Sequence, residues 1–334
     1  MSTVQETPHP EKTPGTNSVK PRVAVIGAGA FGRNHVRVIH QSEHAELSGV
    51  FDPNPQRAED AQKTHGCRLF SSLDELIENS DAAVVATPTI THSEIGCALM
   101  ERGLDVLIEK PIAHTVEAGR ALTGTAARNG RILQVGHLER FNPAIIALKP
   151  AITKPLFFEI HRMSEFSPRS LDVDVVLDLM IHDIDIVLAL TGEMPDEVRA
   201  AGIRILSQKV DIANVRLQFP SGCIANLTAS RVSTERVRKL RLFQPHEYIS
   251  VDYSRQDAVR FRVNPPMAID FTPLTAPKDE PLRLELEDFF TSIVNRTQPV
   301  VTGVQALAAL EVATSILDRI EEHAKLVSHT LGGL

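Results

Sequence analysis

The stretch Val23-Ala24-Val25-Ile26-Gly27-Ala28-Gly29-Ala30-Phe31-Gly32 decides the fold. A short apolar run leads straight into G-x-G-x-x-G, and a helical pattern, Phe31–His40, follows. Each glycine has its own task in such a turn. Gly27 permits the tight bend, Gly29 lets the backbone approach a pyrophosphate, and Gly32 lets helix and strand pack closely. The helix that opens here offers free N–H groups and a positive dipole end to phosphate oxygens. The spacing alone is common, but its context is demanding. The motif follows the first strand, opens a helix, and has Asp52 twenty residues after Gly32 at the end of the second strand. Asp52 can accept hydrogen bonds from the adenosine ribose hydroxyls and would repel a 2′-phosphate, so NAD is expected in preference to NADP. Arg57, close by, softens that preference. The alternative is a glycine-rich turn with no ligand and a surface aspartate.

Outward from this motif, strand-like runs alternate with helical ones. The strands are Val23–Ile26, Leu47–Phe51, Arg68–Phe70, Ala82–Ala86, Val106–Ile108 and Ile132–Val135. Helices are expected at Phe31–His40, Pro55–His65, Leu73–Asn79, Ser93–Arg102 and Val116–Arg128. Such alternation predicts an α/β domain, a doubly wound parallel sheet with helices on both faces. Beyond about residue 145 the texture changes. One long apolar helix, Val173–Leu190, precedes the alternating runs Val198–Leu206, Ile212–Phe219, Ile224–Ser230, Lys239–Phe243 and Tyr248–Tyr253. Phe219-Pro220-Ser221-Gly222-Cys223 reads as a hairpin turn. These runs predict a large open, mainly antiparallel sheet with one solvated face, followed by helices at Leu282–Asn295 and Gln305–Glu322. The organisation expected is a disordered tail (1–20), a cofactor domain (21–145) and a substrate-binding and oligomerisation domain (146–334).

The whole chain fits that plan. Its 334 residues suit two domains. A 43% hydrophobic and 23% charged composition is that of a globular protein with a sizeable core. A formal net charge of −7 favours neither nucleic acid nor an anionic membrane as partner. The three cysteines, Cys67, Cys97 and Cys223, are scattered. They suggest core residues in a reducing cytoplasm rather than a disulfide framework or a metal cluster. No run is long and apolar enough to span a bilayer, and no signal peptide is recognisable.

Two further segments carry chemistry. Val106-Leu107-Ile108 ends in Glu109-Lys110-Pro111. Ligands sit beyond the carboxyl ends of such strands, so Lys110 points toward the crevice, although most lysines are solvated surface groups. In Asp178-Leu-Met-Ile-His182-Asp-Ile-Asp185 the first aspartate, the histidine and the last aspartate are spaced i, i+4, i+7 and share one face of an otherwise apolar helix. Buried ionisable groups are costly unless paired or functional. Asp183 lies off that stripe and reads as structural. Histidine can take a proton near neutral pH, and an ammonium beside it favours a developing alkoxide.

Taken together, the glycine motif, Thr87-Pro88 with His92, Glu109-Lys110-Pro111 and Asp178…His182…Asp185 resemble the glucose–fructose oxidoreductase/inositol dehydrogenase (Gfo/Idh/MocA) family, from about Arg22 to the C-terminus. The resemblance implies an N-terminal Rossmann domain and a C-terminal α/β domain whose open sheet often makes dimers or tetramers. It also implies NAD-dependent hydride transfer at a sugar or cyclitol hydroxyl, with no metal. Lys110 would hold the substrate hydroxyl, Asp178 would bind and orient, and His182 would be the general base. Gly27, Gly29, Ala30, Phe31, Gly32, Asp52, Thr87, Pro88, His92, Glu109 and Lys110 would contact the cofactor. The segments Val175–Asp185 and His137–Pro143 resemble a bacterial subgroup, the UDP-N-acetylglucosamine 3-dehydrogenases of lipid A biosynthesis. This adds His137 and Arg140 to Lys110, Asp178 and His182 as substrate-binding residues. A nucleotide diphosphate needs cations, and Arg140, Arg162, Arg169, Arg231, Arg236, Arg238, Lys239 and Arg241 are available, Arg140 best placed after the sixth strand. The alternatives are a dehydrogenase of a free cyclitol or hexose, and a non-catalytic NAD-binding sensor, which would have no need for Lys110 and His182.

Overall fold

The computed structural model describes residues 20–166, 173–264, 266 and 268–330. The expected tail, apart from Lys20, and Arg169 lie outside these residues. The first half alternates as β1 (Arg22–Ile26), α1 (Ala30–Gln41), β2 (Glu46–Phe51), α2 (Pro55–His65), α3 (Leu73–Glu78), β3 (Ala82–Val85), α4 (His92–Glu101), β4 (Asp105–Glu109), α5 (Val116–Asn129) and β5 (Leu133–Gly136). The five strands are parallel in the order β2-β1-β3-β4-β5. Strand order reverses between β1 and β3, which opens a crevice at their carboxyl ends. The expected strand at 68–70 is only a single bridge, Leu69 to Val50. The run is too short to extend the ladder before α3 begins.

Capping fixes where the helices start and stop. The Asn54 side chain accepts from the Gln56 and Arg57 N–H groups at the start of α2, with Pro55 in the first turn, and Gly66 closes that helix in a left-handed conformation. Thr115 caps α5 through Ala118 N–H, and Gly130 ends it. Both patterns satisfy terminal backbone groups that have no partner within the helix.

The second half runs α6 (Pro143–Leu148), β6 (Phe157–Glu165), a π-helical turn at Val176–Met180 leading into α7 (Ile181–Thr191), then β7 (Glu197–Ile203), β8 (Ile212–Gln218), β9 (Ile224–Ser233), β10 (Val237–Gln244), β11 (Glu247–Asp252), β12 (Asp257–Asn264), β13 (Ala268–Leu274), α8 (Pro281–Asn295) and α9 (Gly303–Thr330). The eight strands form one sheet, β13-β12-β11-β10-β6-β9-β8-β7, antiparallel except for the β6–β9 pair. The turn after Phe219 joins β8 to β9 with Gly222 at φ +84°. One face of the sheet buries Phe158, Ile160, Leu227, Leu240 and Leu242 in a core shared with Ile184 and Val187 of α7 and Ile316 of α9. The other face carries a row of rings, Phe157, Phe243, Tyr248, Phe261 and Phe271, with successive centroids 5.7, 5.0, 5.2 and 5.1 Å apart.

The two sheets are tied together by the C-terminal helices. Leu282, Leu286, Phe289 and Phe290 of α8 pack in the core beside Val23 and Val25 of β1. In α9, Ala306 and Leu310 belong to the core of the first sheet, while Ala313 and Ile316 belong to the second. Apolar side chains of this size each contribute about 1.5–3 kcal/mol when fully buried. The crevice above β1 and β3 is thereby held at a set distance from the π turn and α7.

Candidate active site

The glycine turn is built as its sequence requires. Gly27 has φ +93°, and a Cβ there would lie 2.5 Å from the Ala86 carbonyl oxygen. A Cβ on Gly32 would sit 1.7 Å from the Gly27 oxygen, so α1 approaches β1 too closely for any side chain. Gly29 differs: nothing lies within 4 Å of its would-be Cβ, and the open space is the crevice itself. Gly29 is also the residue before α1, which has no acidic side chain in its first turn. Asp52 closes the other side. One carboxylate oxygen accepts from Ala28 N–H at 2.7 Å and the other from Asn54 N–H at 2.8 Å. A cavity of about 860 Å³ runs from Asp52, Asn54 and Arg57 past Gly27–Phe31 and Thr87–Pro88 to Glu109 and Lys110.

The second cavity, about 380 Å³, begins where the first ends. Phe31, Glu109 and Lys110 line both, and Asp178, His182, Arg162, Arg238 and Glu139 line the second. Asn34, Arg37 and Glu280 also line it, with Arg37 and Glu280 paired. Lys110 Nζ donates to the Asp178 backbone carbonyl at 2.8 Å and lies 3.5 Å from its carboxylate. Asp178 lies in the π turn, a local irregularity of a kind frequent at functional sites. Burial pulls the Lys110 ammonium below the usual lysine range, and Asp178 and Glu109 only partly restore it. Burial, with the charges of Lys110 and Arg162 added, holds His182 well below its usual value, so the ring is neutral at physiological pH.

The same wall carries a layer of paired charge. Arg162 donates to both oxygens of Asp183 at 2.8 Å and to Glu139 at 2.9 Å. Burial opposes its charge, but Asp183 and Glu139 outweigh burial and keep the guanidinium protonated. Arg238 is half-buried, with Glu139 at 3.5 Å. Burial and the neighbouring Arg162 lower it. Behind β4, His35 Nε2 meets Glu109 at 2.6 Å. Burial works against the Glu109 charge, yet His35 and Lys110 hold it ionised. Glu285 of α8 completes that cluster, pushed well above the carboxylate range by burial and by Glu109, so it is a neutral acid. His92 bridges the two strand-end loops, with its ring nitrogens 3.0 Å from the carbonyls of Thr87 and Pro111.

The structure therefore brings Lys110, Asp178 and His182 together at the junction of two cavities, with the glycine turn, Asp52, Thr87, Pro88 and Glu109 along the first. It does not bring His92, His137 or Arg140 to the wall of either cavity, and the buried His92 spends both ring nitrogens on backbone carbonyls. His137 is buried, and Arg140 turns inward to Asp185 at 3.5 Å and the Val300 carbonyl at 3.2 Å. The buried Asp185 holds Arg140 there. Of the other cations, Arg231 is tied to Asp211 and the Val210 carbonyl, and Arg241 to Glu159. Of the arginines offered above for phosphate, Arg162 and Arg238 line the second cavity.

Known proteins resemble the chain over most of its length. Residues 21–137 match the model for an oxidoreductase family with an NAD-binding Rossmann fold, and residues 154–245 match the GFO/IDH/MocA C-terminal domain. A UDP-N-acetylglucosamine 3-dehydrogenase from Acidithiobacillus ferrooxidans is 36% identical over 306 residues, 90% of this chain and 97% of that one. The chain belongs to the GFO/IDH/MocA oxidoreductases. A solved structure of the Acidithiobacillus ferrooxidans protein superimposes with a TM-score of 0.87 at 35% identity, covering 91% of this chain and 99% of that one. A scyllo-inositol 2-dehydrogenase (NAD(+)) from Bacillus subtilis is 28% identical over 87% of this chain and 91% of that one.

The cofactor of this oxidoreductase is NAD, and its crevice suits that molecule. The open side of Gly29 and the free start of α1 fit a pyrophosphate, and Asp52 stands at the far end where a ribose would lie. Glu139, His35 and Glu285 were not foreseen as site residues. Only Glu285 had a usable signal. It falls on the apolar stripe Leu282, Glu285, Leu286, Phe289, where a carboxylate is out of place unless it has a task.

Proposed function

We propose that this oxidoreductase oxidises the 3-hydroxyl of UDP-N-acetylglucosamine to the 3-ketone. The observation that carries the reading is the junction of the two cavities, where Lys110 and His182 face a space that Arg238 borders. The similarity to the Acidithiobacillus ferrooxidans enzyme over nearly the whole of both chains supports the same substrate. NAD, when bound, supplies the hydride acceptor at the Lys110 end of its crevice. In this reading Gly27–Gly32 would hold the pyrophosphate, Asp52 the adenosine ribose, and Thr87, Pro88 and Glu109 the reactive end, with the buried His92 bracing the loops behind them.

His182 is neutral and so accepts the hydroxyl proton on Nε2 as the C3 hydrogen leaves as hydride. The Lys110 ammonium, anchored by Asp178, steadies the negative charge that grows on that oxygen. Asp178 fixes the lysine and is placed to bind a neighbouring hydroxyl. Arg238, whose nearest carboxylate is 3.5 Å away and shared with Arg162, takes the diphosphate in place of Arg140. We further assign the protein to the cytoplasm, to the supply of 3-amino sugar for lipid A, and to a homo-oligomer. The ring row, with Phe271 62% and neighbouring Ile269 70% exposed, supports a sheet-to-sheet contact. No described helix is long and apolar enough to cross a membrane.

The test is an NADH-formation screen across UDP-sugars, free hexoses and inositols. Turnover with UDP-N-acetylglucosamine far above the rest is expected. Preference for inositol, toward which the Bacillus subtilis relative points, would replace this substrate and leave the catalytic pair in place.

A further inference from the structure

His182 turns one ring nitrogen away from the cavity. Its Nδ1 is buried and has no hydrogen-bond partner among the described residues. If Nε2 takes the substrate proton, the neutral ring carries its own hydrogen on Nδ1, and that N–H needs an acceptor. Lys110, Arg162 and Arg238, the cations that bear on His182 from β4, β6 and β10, are donors only and cannot serve.

Two other groups in the same buried layer also have open valences. Both ring nitrogens of His137 lack a partner among the described residues, and so does Oδ2 of Asp185. The two residues are 1% and 2% exposed. The rings of His137 and His182 meet edge to face with centroids 6.2 Å apart. Asp185 is the carboxylate whose charge bears most strongly on His137, and Arg140 holds its other oxygen at 3.5 Å. The inventory closes: one N–H donor on His182, one ring with a donor and an acceptor, one carboxylate acceptor. Buried polar groups left open in this way need a reason.

We infer that His137 and Asp185 form a positioning chain behind the base, with His182 Nδ1–H directed to His137 and the His137 N–H directed to Asp185. The chain fixes the tautomer that leaves Nε2 free, and it rests on the reading of His182 as the base. At a 6.2 Å ring spacing the first bond is long. Such bonds tighten when substrate binds, or are bridged by one water. Neither residue lines the cavity, so both act through His182. The sequence contains the parts of an oriented-base arrangement, but only the packing of the turn after β5, Leu138–Phe141, against α7 brings them together.

The test uses ¹⁵N-histidine NMR on the full-length protein, with His182 assigned by difference against His182→Gln. The expected wild-type signal is the Nδ1–H tautomer. In His137→Ala it should shift toward a mixture or the Nε2–H form. The same variant should lose at least about 10-fold in kcat while KM and NAD affinity stay within about two-fold. His137→Asn, which keeps a donor and an acceptor, should recover part of the loss and guards against a variant that merely unfolds. An unchanged tautomer with unchanged kcat overturns the inference. So does a loss seen only in Tm, or a failure of His137→Asn to improve on His137→Ala. Turnover by His182→Gln near the wild-type rate would instead sink the base assignment, whatever His137 does.

Discussion

Gly29→Ala and Gly32→Ala should fail in opposite ways, because their surroundings are opposite. At Gly32 the added methyl would lie 1.7 Å from the Gly27 oxygen and 2.8 Å from its carbonyl carbon, both backbone atoms that cannot step aside. Helix α1 would have to move off β1. Overpacking of this kind costs about 1–3 kcal/mol and sometimes more. At roughly 2–4 °C per kcal/mol that is a Tm lower by roughly 2–12 °C. At Gly29 the backbone is at φ −68°, ψ −164°, which alanine adopts freely, and the methyl meets no protein atom within 4 Å. Stability should hold. The methyl instead occupies the space beside the α1 N–H groups where a pyrophosphate would approach. Displacing one charge-assisted hydrogen bond is worth about 1.5–3 kcal/mol, or about 10- to 100-fold in Kd at 1.4 kcal/mol per tenfold. Thermal melts without cofactor and fluorescence titration with NADH measure the two effects separately. A Gly29→Ala protein that keeps its NADH affinity within two-fold would refute the phosphate role. A Gly32→Ala protein with an unchanged Tm would refute the packing argument.

Lys110→Ala and His182→Ala should each lower kcat by about 10²–10⁴-fold with NADH affinity nearly unchanged; near-normal turnover would return the residue to a structural role. Because His182 is held well below its usual value, kcat/KM should stay level as pH falls through about 6.5; a half-loss of rate near that pH would contradict it. The same depressed values predict an acid-sensitive contribution: His92, His137 and His182 stay neutral when folded but protonate near pH 6.5 when unfolded, so their contribution is full above about pH 6.5 and declines below it, while the neutral Glu285 works in the opposite sense. Denaturant melts from pH 8 to about 5 would show this decline, and a flat profile would count against it. Asp52→Ala should narrow the preference for NAD over NADP and also loosen the glycine turn, whose Ala28 N–H it holds; an unchanged cofactor ratio by titration would dismiss the ribose assignment.

Much of the first sheet was legible because local rules agreed with the fold. Strand periodicity, glycine spacing and the acid after β2 all pointed to one crevice. The Glu109-Lys110-Pro111 run was readable because it ends a buried strand. Legibility failed where tertiary pairing overrode pattern. Strand β6 escaped because its alternation puts Arg162 at a buried position between Ile160 and the rest of the core, and only Asp183 on a different element makes that tolerable. Strand β13 has no buried face to show. Arg140 looked best placed for phosphate, yet Asp185, buried on α7, draws it inward. The i, i+4, i+7 stripe was real as a pattern, but its last member faces away from the cavity that the first two line.

We propose that NAD is the oxidant of a sugar-nucleotide 3-hydroxyl, with Lys110 holding the oxygen and His182 taking its proton. Oxidation of a secondary alcohol by NAD is unfavourable near neutral pH, so net conversion is expected when a following step consumes the ketone. The direct measurement supplies the protein with NAD, UDP-N-acetylglucosamine, a 3-aminotransferase and glutamate, and follows the nucleotide sugar by mass spectrometry. The 3-amino sugar nucleotide is expected with the wild type, and about 10²–10⁴-fold more slowly with His182→Ala. Absence of that product from the wild type, beside brisk NADH formation from an inositol or a free hexose, would contradict it.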